Sequence, residues 1–292
     1  MLNPLSSLDP HRRSVLVRGI AVILCSSLMF GAMAVCVRLA AREMAADQIA
    51  CCRFLGSLAV LLALRGGRPL LPRGALPPVL LRGLLGGTSI ILYYRGIAGA
   101  GAGLATLLHC TYPIWTTLIA TTLLRERFDA RLGAALALFL VGIGVVVGPG
   151  AELSRAASTG TLFALAASVL AGAAVATARQ LRQTETAYLI TTWFMAVGAV
   201  LTAPALLSGL PPVGLALAVA LAGVVLTSVA GQVLLHQGLG FAPASQASLA
   251  AATSVVSAVL LEAAFLGEHL SPHTLLGAAV LVAAIGLAVS RR

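Results

Sequence analysis

The residues best able to do chemistry crowd into one apolar stretch of this chain: His109, Thr111, Tyr112, Pro113, Trp115 and Thr116. His109, Tyr112 and Thr116 recur at i, i+3 and i+7, so on a continuous helix they share one face. Pro113 removes the backbone hydrogen bond to residue 109 and leaves that carbonyl open to a ligand or to water. Rings with polar tips at one depth would bind an amphipathic molecule by stacking and hydrogen bonding. The competing use of such a stripe is to glue one helix to its neighbour. A sparser set follows at Gln246, Thr253 and Ser254, with Gln246 and Thr253 seven positions apart. Tyr93 and Tyr94 either face the same molecule or belong to an interfacial aromatic belt, as does Trp193.

A few charges stand inside or beside apolar runs. Arg53 can neutralise a carboxylate substrate, snorkel to the surface or pair with Asp47. Glu262 invites a proton-coupling role, but it sits near the end of its run, on the order of 12 Å from mid-span at ~1.5 Å per residue. Glu126 and Glu268 each follow an apolar run and precede another, where an acid caps a helix and braces the hairpin. Gln232 and His236 lie towards the end of another run, at an access route or an interface.

None of these residues forms a catalytic or metal-binding pattern. His109, His236, His269 and His273 fall on different runs, and neither HExxH nor GxSxG occurs. The Gly99-Ala100-Gly101-Ala102-Gly103 run lacks the Lys and preceding strand of a phosphate loop. The five cysteines, Cys25, Cys36, Cys51, Cys52 and Cys110, have no CxxC spacing and suit small apolar helix positions. No cofactor is expected.

The elements that must position these side chains follow from composition. Hydrophobic residues make up 59% of 292 positions, charged residues 10%, and the mean hydropathy is +1.01. A soluble domain carries about a quarter charged residues. The solvent here is lipid. Nineteen arginines against nine acids give +10, a balance that would suggest nucleic acid in a soluble chain but here fixes orientation. Apolar runs of spanning length are expected at 17–37, 47–64, 76–98, 102–124, 130–148, 159–179, 187–206, 213–236, 243–266 and 272–290. The first is read as a span and not as a signal peptide, its apolar stretch being too long. Arginines 12, 13, 18, 65, 68, 73, 82, 125, 127, 131, 179, 182, 291 and 292 gather on one side, against 38, 42, 95 and 155 on the other. The positive-inside rule therefore places both termini in the cytoplasm. The spacings Gly83/Gly87 and Gly144/Gly148 permit close helix approach, for packing or for dimerisation.

The chain also repeats itself. At an offset of 142, Gly96 falls on Gly238, Ala100 on Ala242, Ala102 on Ala244, Ala105 on Ala247, Leu107 on Leu249, Thr111 on Thr253, Leu118 on Leu260, Leu124 on Leu266 and Glu126 on Glu268. That shift equals five spans, and five is odd, so residues 1–148 and 149–292 would thread the bilayer in opposite senses. Such a duplication suits a transporter that alternates between two openings.

The run Leu92-Tyr93-Tyr94-Arg95-Gly96, the pair Arg53-Phe54 and the run Leu266-Gly267-Glu268 resemble the drug/metabolite transporter superfamily, ten-helix EamA type. The resemblance covers nearly the whole chain. It implies a basket of ten helices around a central cavity lined by the third, fourth, eighth and ninth spans. It also implies export of amino acids and related metabolites, including an aromatic-amino-acid exporter branch. A proline is usual in both the fourth and ninth spans; here Pro113 is matched by Val255. The expectation is an all-α polytopic membrane protein, a secondary transporter exporting small metabolites, amino acids foremost, by alternating access. Its partners are a small-molecule substrate and the lipid bilayer, not nucleic acid, with monomer and homodimer both open. The alternative, an intramembrane enzyme acting on lipid or peptide, would require convergent acid–base groups.

Overall fold

With the backbone denied water, an apolar chain in lipid must satisfy its amides within each segment, so helices are the outcome. The computed structural model describes residues 10–100, 102–147, 159–267 and 272–289, and every regular element among them is helical. In chain order these are α1 (Pro10–Ala40), α2 (Ala46–Ala63), α3 (Leu76–Ala100), α4 (Ala102–His109), α5 (Tyr112–Thr122) and α6 (Ala130–Val147). The second half holds α7 (Thr159–Leu181), α8 (Ala187–Thr202), α9 (Leu215–Gly238), α10 (Ala244–Ala252), α11 (Ser254–Leu266) and α12 (Pro272–Val289). A short 3-10 turn, Ala203–Ser208, follows α8. The protein is a polytopic membrane protein: among the described residues seven helical stretches are long and apolar enough to cross a bilayer, and shorter apolar helices at Ala130–Val146 and Pro272–Ala288 join them.

Two expected spans are not single helices. The fourth is α4 plus α5 and the ninth is α10 plus α11, and the breaks fall at the repeat-related Thr111 and Thr253. Both threonines precede a new helix with nearly the same backbone, φ −76°, ψ −3° and φ −66°, ψ −6°. Both turn their hydroxyl back: Thr111 Oγ1 donates to Leu108 O at 2.7 Å and Thr253 Oγ1 to Ala250 O at 2.6 Å. A hydroxyl competing for the carbonyl three residues back bends a helix. Pro113 sits in the first turn of α5, where its missing N–H costs nothing. The symmetry of the two kinks therefore rests on threonine, and the mismatch of Pro113 with Val255 does not break it.

Packing repeats the same symmetry. α1 lies along α9 as α3 lies along α7, and α6 lies along α12. Ser26 Oγ donates to Gly231 O at 2.7 Å across the first crossing, and Ser89 Oγ to Ala167 O at 2.7 Å across the second. Small residues permit this closeness. A Cβ on Gly31 would lie 2.6 Å from Ser257 Cβ on α11, and one on Gly172 would lie 2.6 Å from Trp115 Cβ on α5. Gly83 and Gly87 are spent the same way, against Val197 and Leu201 of α8, so that pair packs within the fold. Large apolar side chains such as Leu162, Val200, Leu226 and Val282 point outward, as lipid allows and water would penalise.

Candidate functional site

A cavity of about 830 Å³ opens between the two halves, at the end of the bundle where α1 and α3 finish and α4 begins. Its walls come from α1, α2, α3, α4, α6, α9 and α11. Tyr93 stacks on His109, with ring centroids 4.4 Å apart and planes 26° apart. The Tyr93 hydroxyl lies 2.8 Å from Thr106 Oγ1, which fixes the ring. His109 Nδ1 is buried with no hydrogen-bond partner, and so is Gln232 Oε1. Ser254, at the start of α11, completes the wall opposite.

Arg53 is the buried cation among the described residues that line this cavity. It is 5% exposed, and its Nε donates to Ser228 Oγ of α9 at 2.8 Å. Its guanidinium carbon lies 5.4 Å from the centroid of the Phe54 ring. Among the described residues no carboxylate lies within ion-pair distance of Arg53. Asp47 is not its partner: Asp47 Oδ1 accepts from the Gln48 backbone at 2.9 Å. At the rim, Arg38 Nη1 pairs with Glu262 Oε2 at 3.1 Å.

The structure scatters the stripe expected on the fourth span. His109 ends α4 and faces the cavity. Tyr112 begins α5 and donates its hydroxyl to Ser248 O of α10 at 3.1 Å. Thr116 is wholly buried against α7, bonding Tyr112 O at 3.0 Å and Gly172 O at 3.4 Å. Trp115 lies on that same α7 contact. The shared face required a continuous helix; across the break at Thr111 the Tyr112 ring stays 6.0 Å from that of His109, while Trp115 and Thr116 turn to α7. On the ninth span Thr253 serves the break, while Gln246 Nε2 donates to Ala288 O of α12 at 3.0 Å. Tyr94 lines the cavity and also a side crevice of about 520 Å³ between α2, α3 and the turn after α8. Trp193 Nε1 donates to Leu70 O at 2.8 Å, anchoring the α2–α3 connection.

Glu126 caps across the repeats and not within its hairpin. Its carboxylate accepts from Ala244 N at 2.7 Å, Ser245 N at 3.2 Å and Ser245 Oγ at 2.8 Å, at the start of α10. Glu268 and His269 lie outside the described residues. Sequence reasoning passed over Ser228, Thr191 and Arg82. Arg82 counted there as a connection residue, yet it is 4% exposed inside α3. Its signal was the four-residue spacing of Ser228, Gln232 and His236 on α9, one polar stripe on an apolar helix.

Beyond the cavity floor, Phe54, Leu61, Phe194, Met195 and Ala199 pack into an apolar plug with Ile90, Tyr188, Val229 and Val233. On its far side a recess of about 810 Å³ is lined by Arg68, Arg182, Tyr188, Val233 and Gln237. The plug thus stands between two recesses of similar volume, one towards each end of the bundle.

Comparison with known proteins places this architecture. The EamA-like transporter family matches twice, over residues 17–148 and 158–290. A pseudopaline exporter of Pseudomonas aeruginosa, from strains UCBPP-PA14 and PAO1, is 26% identical over 191 residues, 65% of this chain. The match spans 66% of that exporter's length, just under two thirds. A solved crystal structure superposes with a TM-score of 0.79 at 18% identity, covering 93% of this chain and 96% of the other, and so shares the fold.

Proposed function

The chain belongs to the EamA-like transporter family, and from that premise we propose that it exports small carboxylate-bearing metabolites, amino acids foremost, by alternating access. The observation carrying the substrate class is Arg53, a buried guanidinium in the cavity wall with no carboxylate beside it. A buried cation is costly unless an anion meets it, and a guanidinium matches a carboxylate with two parallel hydrogen bonds. The unpaired Gln232 Oε1 offers an acceptor for an ammonium group in the same cavity. The stacked Tyr93 and His109 rings supply an apolar surface for a side chain.

By the arginine count, the end carrying the α2–α3 connection is cytoplasmic, so the open cavity faces outward. The halves 1–148 and 149–292 rock against each other, the plug around Phe54 and Phe194 parting as the Arg38–Glu262 rim closes. The pseudopaline exporter supports the export direction.

Counterflow in proteoliposomes tests this reading, comparing labelled phenylalanine and glutamate with phenethylamine, which keeps the ring and ammonium but lacks the carboxylate. The amino acids should exchange and the amine should not. Arg53→Gln should weaken apparent affinity by roughly 10- to 100-fold, the worth of a hydrogen bond to a charged group. Equal exchange of amine and amino acid, or an unchanged R53Q variant, would overturn the assignment.

A further inference from the structure

We propose that Arg82 is a second anion-binding residue, which takes the carboxylate of the transported molecule when the bundle opens to the cytoplasm. The proposal rests on the preceding reading, in which that molecule is a carboxylate.

Arg82 is 4% exposed, and neither its Nε nor its Nη1 has a hydrogen-bond partner. Its single polar contact is Nη2 to His236 Nε2, at 3.3 Å. A guanidinium can only donate, so His236 Nε2 must accept, and the ring proton sits on Nδ1. That proton goes to Thr191 Oγ1 at 2.7 Å, whose own hydroxyl donates to Ala187 O at 2.8 Å. The chain of donors runs outward from Arg82 and ends on a backbone carbonyl. No link in it carries a negative charge. His236 therefore aims the guanidinium without neutralising it.

The surroundings make room for this cation. A Cβ at Gly86 would lie 2.3 Å from Arg82 Nη1, so only glycine leaves that nitrogen its place. The face of Phe194 lies 4.6 Å from the guanidinium carbon. Gln232 Oε1 stands one turn away on α9.

The position mirrors Arg53. Arg53 lies seven residues into α2, about 10 Å from its outer end, and Arg82 six residues into α3, about 9 Å from its cytoplasmic end. Both are held by α9, through Ser228 and His236, with Gln232 between them at the same four-residue spacing. Both sit over a phenylalanine, and those rings, Phe54 and Phe194, meet edge to face at 5.4 Å. The apolar plug thus separates two cations joined by one polar stripe. With the outer cavity open, Arg53 is lined up with the substrate and Arg82 is sealed. Reversal of the two halves exchanges those conditions, and the stripe gives the carboxylate a guanidinium at either end of its path.

Sided transport tests the assignment. Right-side-out and everted membrane vesicles containing the full chain present the outer and cytoplasmic faces, with labelled phenylalanine and glutamate as probes. Arg82→Gln should raise KM at the cytoplasmic face about tenfold or more, and Arg53→Gln should do so at the outer face. Arg82→Lys, which keeps the charge, should recover part of the loss, and serves if R82Q fails to accumulate. An R82Q effect equal at both faces, or confined to maximal rate, marks a structural brace and overturns the proposal, as does no effect. A wild-type protein that carries neither amino acid in preference to phenethylamine overturns the preceding reading and this one together. A wild type that carries them with an R82Q variant indifferent to face overturns this one alone.

Discussion

Removing the Glu126 carboxylate should unfasten the first half of the protein from the second. The side chain follows α5, yet it closes the N-terminus of α10 with three hydrogen bonds, to Ala244 N at 2.7 Å, Ser245 N at 3.2 Å and Ser245 Oγ at 2.8 Å. A buried hydrogen bond to a charged group nets about 1.5–3 kcal/mol. Glu126 is half-exposed, so screening brings each closer to about 1 kcal/mol. A negative charge at a helix N-terminus adds about 0.3–1 kcal/mol. Glu126→Ala should therefore cost about 3–4 kcal/mol, and Glu126→Gln, which keeps one acceptor oxygen and the shape, about half of that. At about 2–4 °C per kcal/mol, the alanine variant should melt roughly 5–15 °C below wild type. Thermal unfolding of the purified protein in detergent, followed by the fluorescence of Trp115 and Trp193, reads this shift. An alanine variant melting within about 2 °C of wild type would refute the capping argument.

Three further outcomes follow from the same geometry. Gly172→Val should abolish the monodisperse peak in size-exclusion chromatography, because a Cβ there would lie 2.6 Å from Trp115 Cβ and 2.8 Å from Thr116 N; a normal peak would show that α5 and α7 can part freely. Thr253→Val keeps the volume but loses the bond to Ala250 O, so it should lower stability by about 1 kcal/mol while Thr253→Ser does not; the same melt separates them. Arg38→Glu should weaken counterflow and Glu262→Arg in the same chain should restore it in part, since the pair meets at 3.1 Å on the cavity rim; a double variant no better than the single would remove that pair from the mechanism.

The candidate site was legible only in pieces. Tyr93, Tyr94, His109, Arg53, Ser254 and Glu262 line the cavity, and each stood out as a polar or aromatic residue in an apolar run. Tyr112, Trp115, Thr116 and Gln246 stood out for the same reason, yet they serve helix contacts. Polarity in lipid flags both uses equally, because the cost of an unsatisfied group is the same whether a ligand or a neighbouring helix meets it. What separated them on the fourth span was the break at Thr111, beyond which Trp115 and Thr116 meet α7.

Class and topology were in the sequence because they depend on local quantities. Hydropathy over a window decides that a segment prefers lipid, and a 142-residue offset, spanning an odd number of crossings, decides that the halves run in opposite senses. The site depends on which distant residues meet. Arg53 finds Ser228 across 175 residues, and Arg82 finds His236 across 154. No window of sequence holds both partners of either pair, and only the packing of α2 on α9, with the reach of Arg82 from α3 to His236, sets one guanidinium at the outer cavity and the other beneath the plug.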